Sequence, residues 1–428
     1  MLDFSCAHDR NDQYCRIDNR FLLAAIRRFE PMTQYSFSRK VRLKHALRRY
    51  FNLVAGWLRT PVRRPVATIV SGGASAEKAQ NIEARLQFLF EHLESKLDIR
   101  TVRRASWMTY VRDTAVVAAD SSAVQFLALK HLEWVADLDY DTNLADGWSL
   151  MELGVAISPR SAARQRSALA GQRFRDHVRK LETDEARPAY IFGTGPSLHL
   201  ALDRSFADGT TIVCNTIVRD PELWRHLSPA FLAAGDAIYH FGNNPHARAF
   251  RADALERLQE SEGRTLFVYP SQFDVIVRSE FHAVEPLLVP IPWGEHSNIA
   301  VDLNEQFLLP DVENVLANLL LPLGCSLSRD VRMWGFDGRG PSDSGFWANS
   351  DRHAYPELMQ SIRDAHPAFF ANKTPRGNET KYVNHVHGDL LDERLAEAER
   401  RGFRFQMLHP SWTPTLQKRY RQEPLDQG

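Results

Sequence analysis

Between residues 189 and 408 short apolar runs alternate with helical patterns, and nearly every run ends in glycine, asparagine or aspartate. Strand-like runs lie at 190–192, 211–215, 236–241, 264–269 and 332–337, with an apolar helix at 312–320. A helix at 389–400 stops at Gly402, and a closing strand follows at 403–408. Continuous apolar strands separated by helices are the pattern of a largely parallel sheet covered on both faces. The expected class is therefore α/β, with a Rossmann-like sheet and helices on both sides.

A second, smaller α/β pattern precedes it. Residues 66–70 read as a strand, Gly72-Gly73 as a turn, and 76–93 as a helix that Ser75 can cap. A strand at 114–119 and a helix at 123–135 follow, and 161–181 reads as a bridging helix before the boundary at Pro188. At 428 residues the chain suits more than one domain. The expected division is a helical region at 1–65, a small α/β domain with the bridging helix at 66–187, and a larger ligand-binding α/β domain at 188–428.

Lysine plus arginine and aspartate plus glutamate are equal at 53 each, so no bulk charge points to nucleic acid. The local balance differs: from Arg39 to Arg64 there are nine basic residues and no acidic one. Leu43, Leu47, Phe51, Val54 and Leu58 recur there at steps of three or four, the apolar face of a helix. Such a helix packs its apolar face on the protein, or lies on an anionic membrane, or meets RNA or an acidic protein. Four cysteines without a Cys-x-x-Cys pair support neither a disulfide scaffold nor a cysteine-rich zinc site. With no signal-peptide pattern at Met1 and no long apolar window, the expectation is a cytoplasmic protein, peripheral to the membrane through residues 39–64 if anywhere.

Ligands of open parallel sheets bind beyond the carboxyl ends of the strands. The polar clusters fall there: Gly193-Thr194-Gly195-Pro196-Ser197, Asn215, Gly242-Asn243-Asn244 and Gly335-Phe336-Asp337-Gly338. Gly193 and Gly195 let a phosphate approach the backbone, and Ser197 can donate to it near a helix start. Asn215, Asn243 and Asn244 offer paired donors and acceptors to ribose or a pyrimidine edge. Asp337 either orients a base or sugar hydroxyl or caps its own turn. His385 and His387 stand two apart before a helix, on what reads as an extended stretch, and a histidine there can take a proton from a hydroxyl. No third ligand at metal spacing accompanies them, and no metal cofactor is expected.

In order and spacing these motifs resemble the bacterial sialyltransferases of the lipooligosaccharide type and the related nonulosonic acid transferases of capsule and flagellin modification. The resemblance is carried by Thr194 to Leu198, Cys214-Asn215, Asn244-Pro245, Gly335-Phe336-Asp337, Tyr382-Val383-Asn384-His385 with Asp389, and Met407-Leu408-His409-Pro410-Ser411. It implies a GT-A-like sialyltransferase variant of the fold and an inverting, metal-independent transfer. The donor would be a sugar activated by cytidine monophosphate, and the acceptor a surface glycan or lipid-linked glycan. His385 would be the general base, while the glycine turn and the asparagines would hold the nucleotide. Where the family carries two tyrosines for the departing phosphate, this chain reads Gly338-Arg339-Gly340-Pro341, leaving Arg339 as the available charge. Two other readings remain open on the residues alone: a magnesium-dependent kinase or pyrophosphokinase, and a non-catalytic nucleotide- or sugar-binding assembly protein.

Overall fold

The structure, a computed structural model, describes residues 66–91, 98–106, 109, 113, 115–119, 131–134, 160–181, 187–312, 314–340, 352–365 and 384–421. All of them fall within one compact unit, Arg59–Gly428. The basic segment 39–64, the first thirty residues and Tyr382 lie outside the described residues.

The first sheet has four parallel strands in the order β2-β1-β3-β4. These are β1 (Val66–Val70), β2 (Asp98–Val102), β3 (Ala115–Ala118) and β4 (His131–Trp134). Helix α1 (Ala76–Glu91) lays Ala79, Ile82 and Leu86 into the core, a helical spacing of three and four. The strand at 131–134 stands where the sequence suggested the end of a helix at 123–135, and residues 120–130 lie outside the described residues.

The second sheet has seven strands in the order β11-β10-β5-β6-β7-β8-β9, parallel in every described pair. In chain order they are β5 (Ala189–Phe192), β6 (Thr210–Cys214), β7 (Phe231–Ala233), β8 (Leu266–Pro270), β9 (Leu288–Ile291), β10 (Asp330–Trp334) and β11 (Arg404–Met407). The period of two along each strand divides the core. Tyr190, Phe192, Val213, Leu232, Phe267 and Tyr269 enter one apolar cluster, while Ile191, Ile212, Phe231, Leu266 and Val268 enter the other.

The first cluster also takes in Ala67, Ile69, Ile82 and Leu86, so the small sheet and α1 share a core with one face of the large sheet. On that face lie α3 (Pro221–Leu227), α4 (Pro245–Glu260) and α5 (Asp274–Glu280). The other face is covered by α2 (Arg160–Lys180), α6 (Leu321–Leu327) with the π-helical turn Leu316–Leu320 before it, and α8 (Leu390–Arg400). Short helices α7 (Met359–Ala365) and α9 (Pro414–Gln417) complete the described set. The architecture is thus a mixed α/β fold of two mostly parallel sheets flanked by helices, of generic Rossmann-like type. The segment expected to bridge two domains, α2, packs on the second sheet, with the Phe174 ring 5.6 Å from Phe231.

Two sequence expectations are corrected. The third strand is Phe231–Ala233, not 236–241. Asp236 turns the later segment, because its Oδ1 accepts from the Ile238 and Tyr239 amides at 2.7 and 2.8 Å, and those bonds replace a ladder. The stretch holding both histidines is not extended: Asn384–Asp389 is a π-helical turn running directly into α8. Among the described residues no helix is long and apolar enough to cross a membrane.

Candidate functional site

Strand order reverses between β5 and β10: the chain runs from β5 outward to β9, then returns to the other side of β5. At such a switch point the two carboxyl-end turns diverge and leave a crevice in a typical open sheet. Here the turns meet. The Gly193 amide donates to Trp334 O at 2.8 Å, and the Gly195 amide donates to Gly335 O at 2.8 Å. Gly335 holds φ +76°, which brings its carbonyl over the first turn. A Cβ on Gly193 would stand 2.6 Å from Gly335 O, and one on Gly195 would overlap the Asp337 carboxylate.

Asp337 fills the position the sequence reading offered to a phosphate. The Ser197 amide donates to Asp337 Oδ1 at 3.1 Å, and the Ser197 hydroxyl donates to Oδ2 at 2.9 Å. Pro196 opens a short helical turn, Pro196–Asp203, whose starting N–H groups attract an anion, and the chain supplies that anion itself. Thr194 is half-buried between these contacts.

His409 closes the arrangement from a third segment. Its Nε2 accepts from the Gly335 amide at 2.8 Å and lies 3.0 Å from the Ser197 hydroxyl. The proton therefore sits on Nδ1, which donates to Pro410 O at 2.7 Å. Burial pushes the His409 pKa below its ordinary value, with the Asp337 charge opposing that shift. The Ser411 hydroxyl donates to Phe336 O at 2.7 Å, and the Trp412 amide donates to Asp337 O at 2.6 Å. The Trp412 side chain is 64% exposed on this rim, a large apolar ring left in water.

The three asparagines part company. Asn244 is the N-cap of α4: its Oδ1 accepts from the Ala247 amide at 2.9 Å and its Nδ2 donates to Ile238 O at 2.8 Å. Asn243 is exposed and accepts from Arg248 at 3.0 Å. Asn215, which directly follows β6 and opens the short helical turn Asn215–Arg219, holds left-handed backbone at φ 52° and keeps a buried Oδ1 with no hydrogen-bond partner. An unpartnered acceptor on strained backbone is the kind of feature that substrate sites hold. The neighbouring Cys214 thiol donates to Phe192 O, and burial raises its pKa to about 12, so it remains a neutral thiol.

Arg339 stands half-buried two residues after Asp337, on the same rim. His385 lies in the π-helical turn that opens α8. Because a crossover helix runs against its parallel strands, that opening faces the carboxyl edge of the sheet. His387 in the same turn is buried, and burial lowers its pKa to about 4, so it is neutral at working pH. No group of three His, Cys, Asp or Glu side chains suited to a metal occurs among the described residues.

Sequence reasoning missed the part played by His409, although His409-Pro410-Ser411 is one of the motifs that carry the family resemblance. It also missed His353, whose side chain is fully buried with its Nδ1 3.6 Å from Asp220 Oδ2. Its ring nitrogens have no hydrogen-bond partner, and burial lowers its pKa to about 4. Arg352 beside it pairs with both Asp220 and Glu222, pinning this segment against the start of α3.

No protein-family model, no curated protein and no solved structure matches this chain.

Proposed function

We propose that this chain is a glycosyltransferase of the GT-A-like sialyltransferase type. It would move a nonulosonic acid from a donor activated by cytidine monophosphate to a bacterial surface glycan or lipid-linked acceptor, with inversion. The observation that carries the proposal is Asn215, with its left-handed backbone and unpartnered buried Oδ1 at the carboxyl edge of β6. That oxygen accepts from a cytosine amino group or a ribose hydroxyl, and Trp412 on the same rim offers a face for stacking.

Asp337 refines the assignment. Because Ser197 gives both of its donors to Asp337, the donor phosphate is met by Arg339 and not by the glycine turn. The carboxylate holds the turn, Asn215 reads the nucleoside, and His385 takes the proton from the acceptor hydroxyl as the sugar–phosphate bond breaks. The basic segment 39–64 would keep the enzyme near a membrane-borne acceptor.

Isothermal calorimetry against cytidine mono-, di- and triphosphates, uridine diphosphate, guanosine diphosphate and ATP, with and without Mg²⁺, tests this. The expected result is selective, magnesium-independent binding of cytidine monophosphate, weakened about tenfold in Asn215→Ala. Selective uridine or guanosine diphosphate binding contradicts the cytidine donor. Magnesium-dependent ATP binding contradicts the transferase and favours a kinase.

A further inference from the structure

A groove of about 340 Å³ lies between α2 and the segment leaving β9, far along the sheet from the β5–β10 junction. That volume is within the usual range for small-ligand pockets. Its walls combine Arg164, Ser167 and Arg175 of α2 with Pro292 and Phe307 of the loop region opposite. Gly171 forms the notch between them. A Cβ there would stand 3.3 Å from Arg175 Nη1 and 3.3 Å from Phe307 Cδ1, so the guanidinium and the aromatic ring meet over the glycine. Glycine inside a helix costs about 1 kcal/mol relative to alanine. The notch is therefore held open against the helix's own preference.

Five of the six arginines of α2, those from Arg164 onward, divide into two sets. Arg166 pairs with Asp274 at 2.7 Å, Arg173 pairs with Glu285 at 2.7 Å, and Arg179 pairs with Asp176. Arg164 and Arg175, the two that line the groove, have no carboxylate partner among the described residues. Two unneutralised guanidiniums and a hydroxyl on one wall, facing an aromatic and proline wall, fit an anion joined to an apolar body. Guanidiniums bind phosphate oxygens through parallel N–H donors, and two of them match a dianion better than a single negative charge.

We infer that the groove between α2 and residues 292–308 is a binding site for a phosphate monoester carrying an apolar chain or ring. Arg175 and Arg164 hold the phosphate, Ser167 donates to it, and the apolar body lies on Phe307 and Pro292. The site is separate from the proposed transferase centre and does not depend on it.

Calorimetric titration of the full chain with octyl phosphate, kept below its micelle concentration, tests the site, with octanol, octanoate and inorganic phosphate as controls. Saturable octyl phosphate binding is expected, at least about tenfold tighter than any control. Arg175→Gln and Arg164→Gln each weaken it about tenfold, as for loss of one charge-assisted bond. Gly171→Leu, which keeps both charges and fills the notch, abolishes it, while circular dichroism shows each variant folded. Absence of saturable binding overturns the inference. So does binding that both Arg175→Gln and Gly171→Leu leave unchanged, which places it elsewhere. Octanoate bound as tightly as octyl phosphate overturns the assignment to a phosphate dianion.

Discussion

Each sheet has a glycine turn after its first strand, at the point where strand order reverses, and the two turns are used in opposite ways. After β1, the Ser71 amide donates to Val102 O at 2.9 Å and the Gly72 amide donates to Arg103 O at 3.1 Å. A Cβ added to Gly73 would meet nothing within 4 Å. After β5, the space above Gly193 and Gly195 is filled by Gly335 and the Asp337 carboxylate. Glycine in the second turn admits another piece of the same chain, whereas Gly73 in the first faces open space. A strand, a glycine pair and a helix thus do not by themselves make an anion site. The turn of the neighbouring strand decides whether the position remains vacant for a ligand.

The largest expected effect follows from that contact. Gly195→Ala forces a methyl group into the Asp337 carboxylate and lowers stability by about 3 kcal/mol in urea unfolding. A loss under about 1 kcal/mol would mean that the two turns are not locked together. Asp337→Asn is milder, because one oxygen still accepts while an amide group now faces the Ser197 hydroxyl. A loss of about 1.5 kcal/mol is expected, and no loss would remove the carboxylate from the account.

Acid should act on the second sheet first. His240, His353 and His387 have pKa values lowered to about 4 by burial, and all three belong to the part of the chain that builds the seven-stranded sheet. Their unfolded values lie near 6.5. The unfolded state therefore binds more protons between the two values. Their stabilising contribution is complete above about pH 6.5 and is lost as pH falls toward 4. A series of denaturation curves should show stability dropping across that window. A flat profile from pH 7 to 4.5 would contradict the neutral, buried assignment. The smallest effect belongs to the open turn: Gly73→Ala should change stability by less than about 0.5 kcal/mol, and a large loss there would erase the contrast.

Much of the fold was legible because buried parallel strands are unbroken apolar runs. Ala189–Phe192 and Leu266–Pro270 are of this kind, Val66–Val70 is interrupted only by Thr68, and Asp330–Trp334, which carries Asp330 and Arg332, was legible only from residue 332 onward. The missed strands lack that signal. Phe231–Ala233 has only three residues. Leu288–Ile291 contains Pro290, which is tolerated because β9 is an edge. Asp98–Val102 is an edge strand with exposed, charged positions. In the candidate site, Asn215, Asn243 and Asn244 look equivalent in sequence and differ only in what surrounds them. The Ser197–Asp337 bond joins residues 140 positions apart, so no local pattern could announce it.

Backbone hydrogen exchange with and without cytidine monophosphate compares the two turns most directly. Protection is expected at 215–219 and at 337–340, with the amides of 71–75 unchanged. Protection confined to 71–75 would contradict it, placing the nucleotide at the open turn of the first sheet.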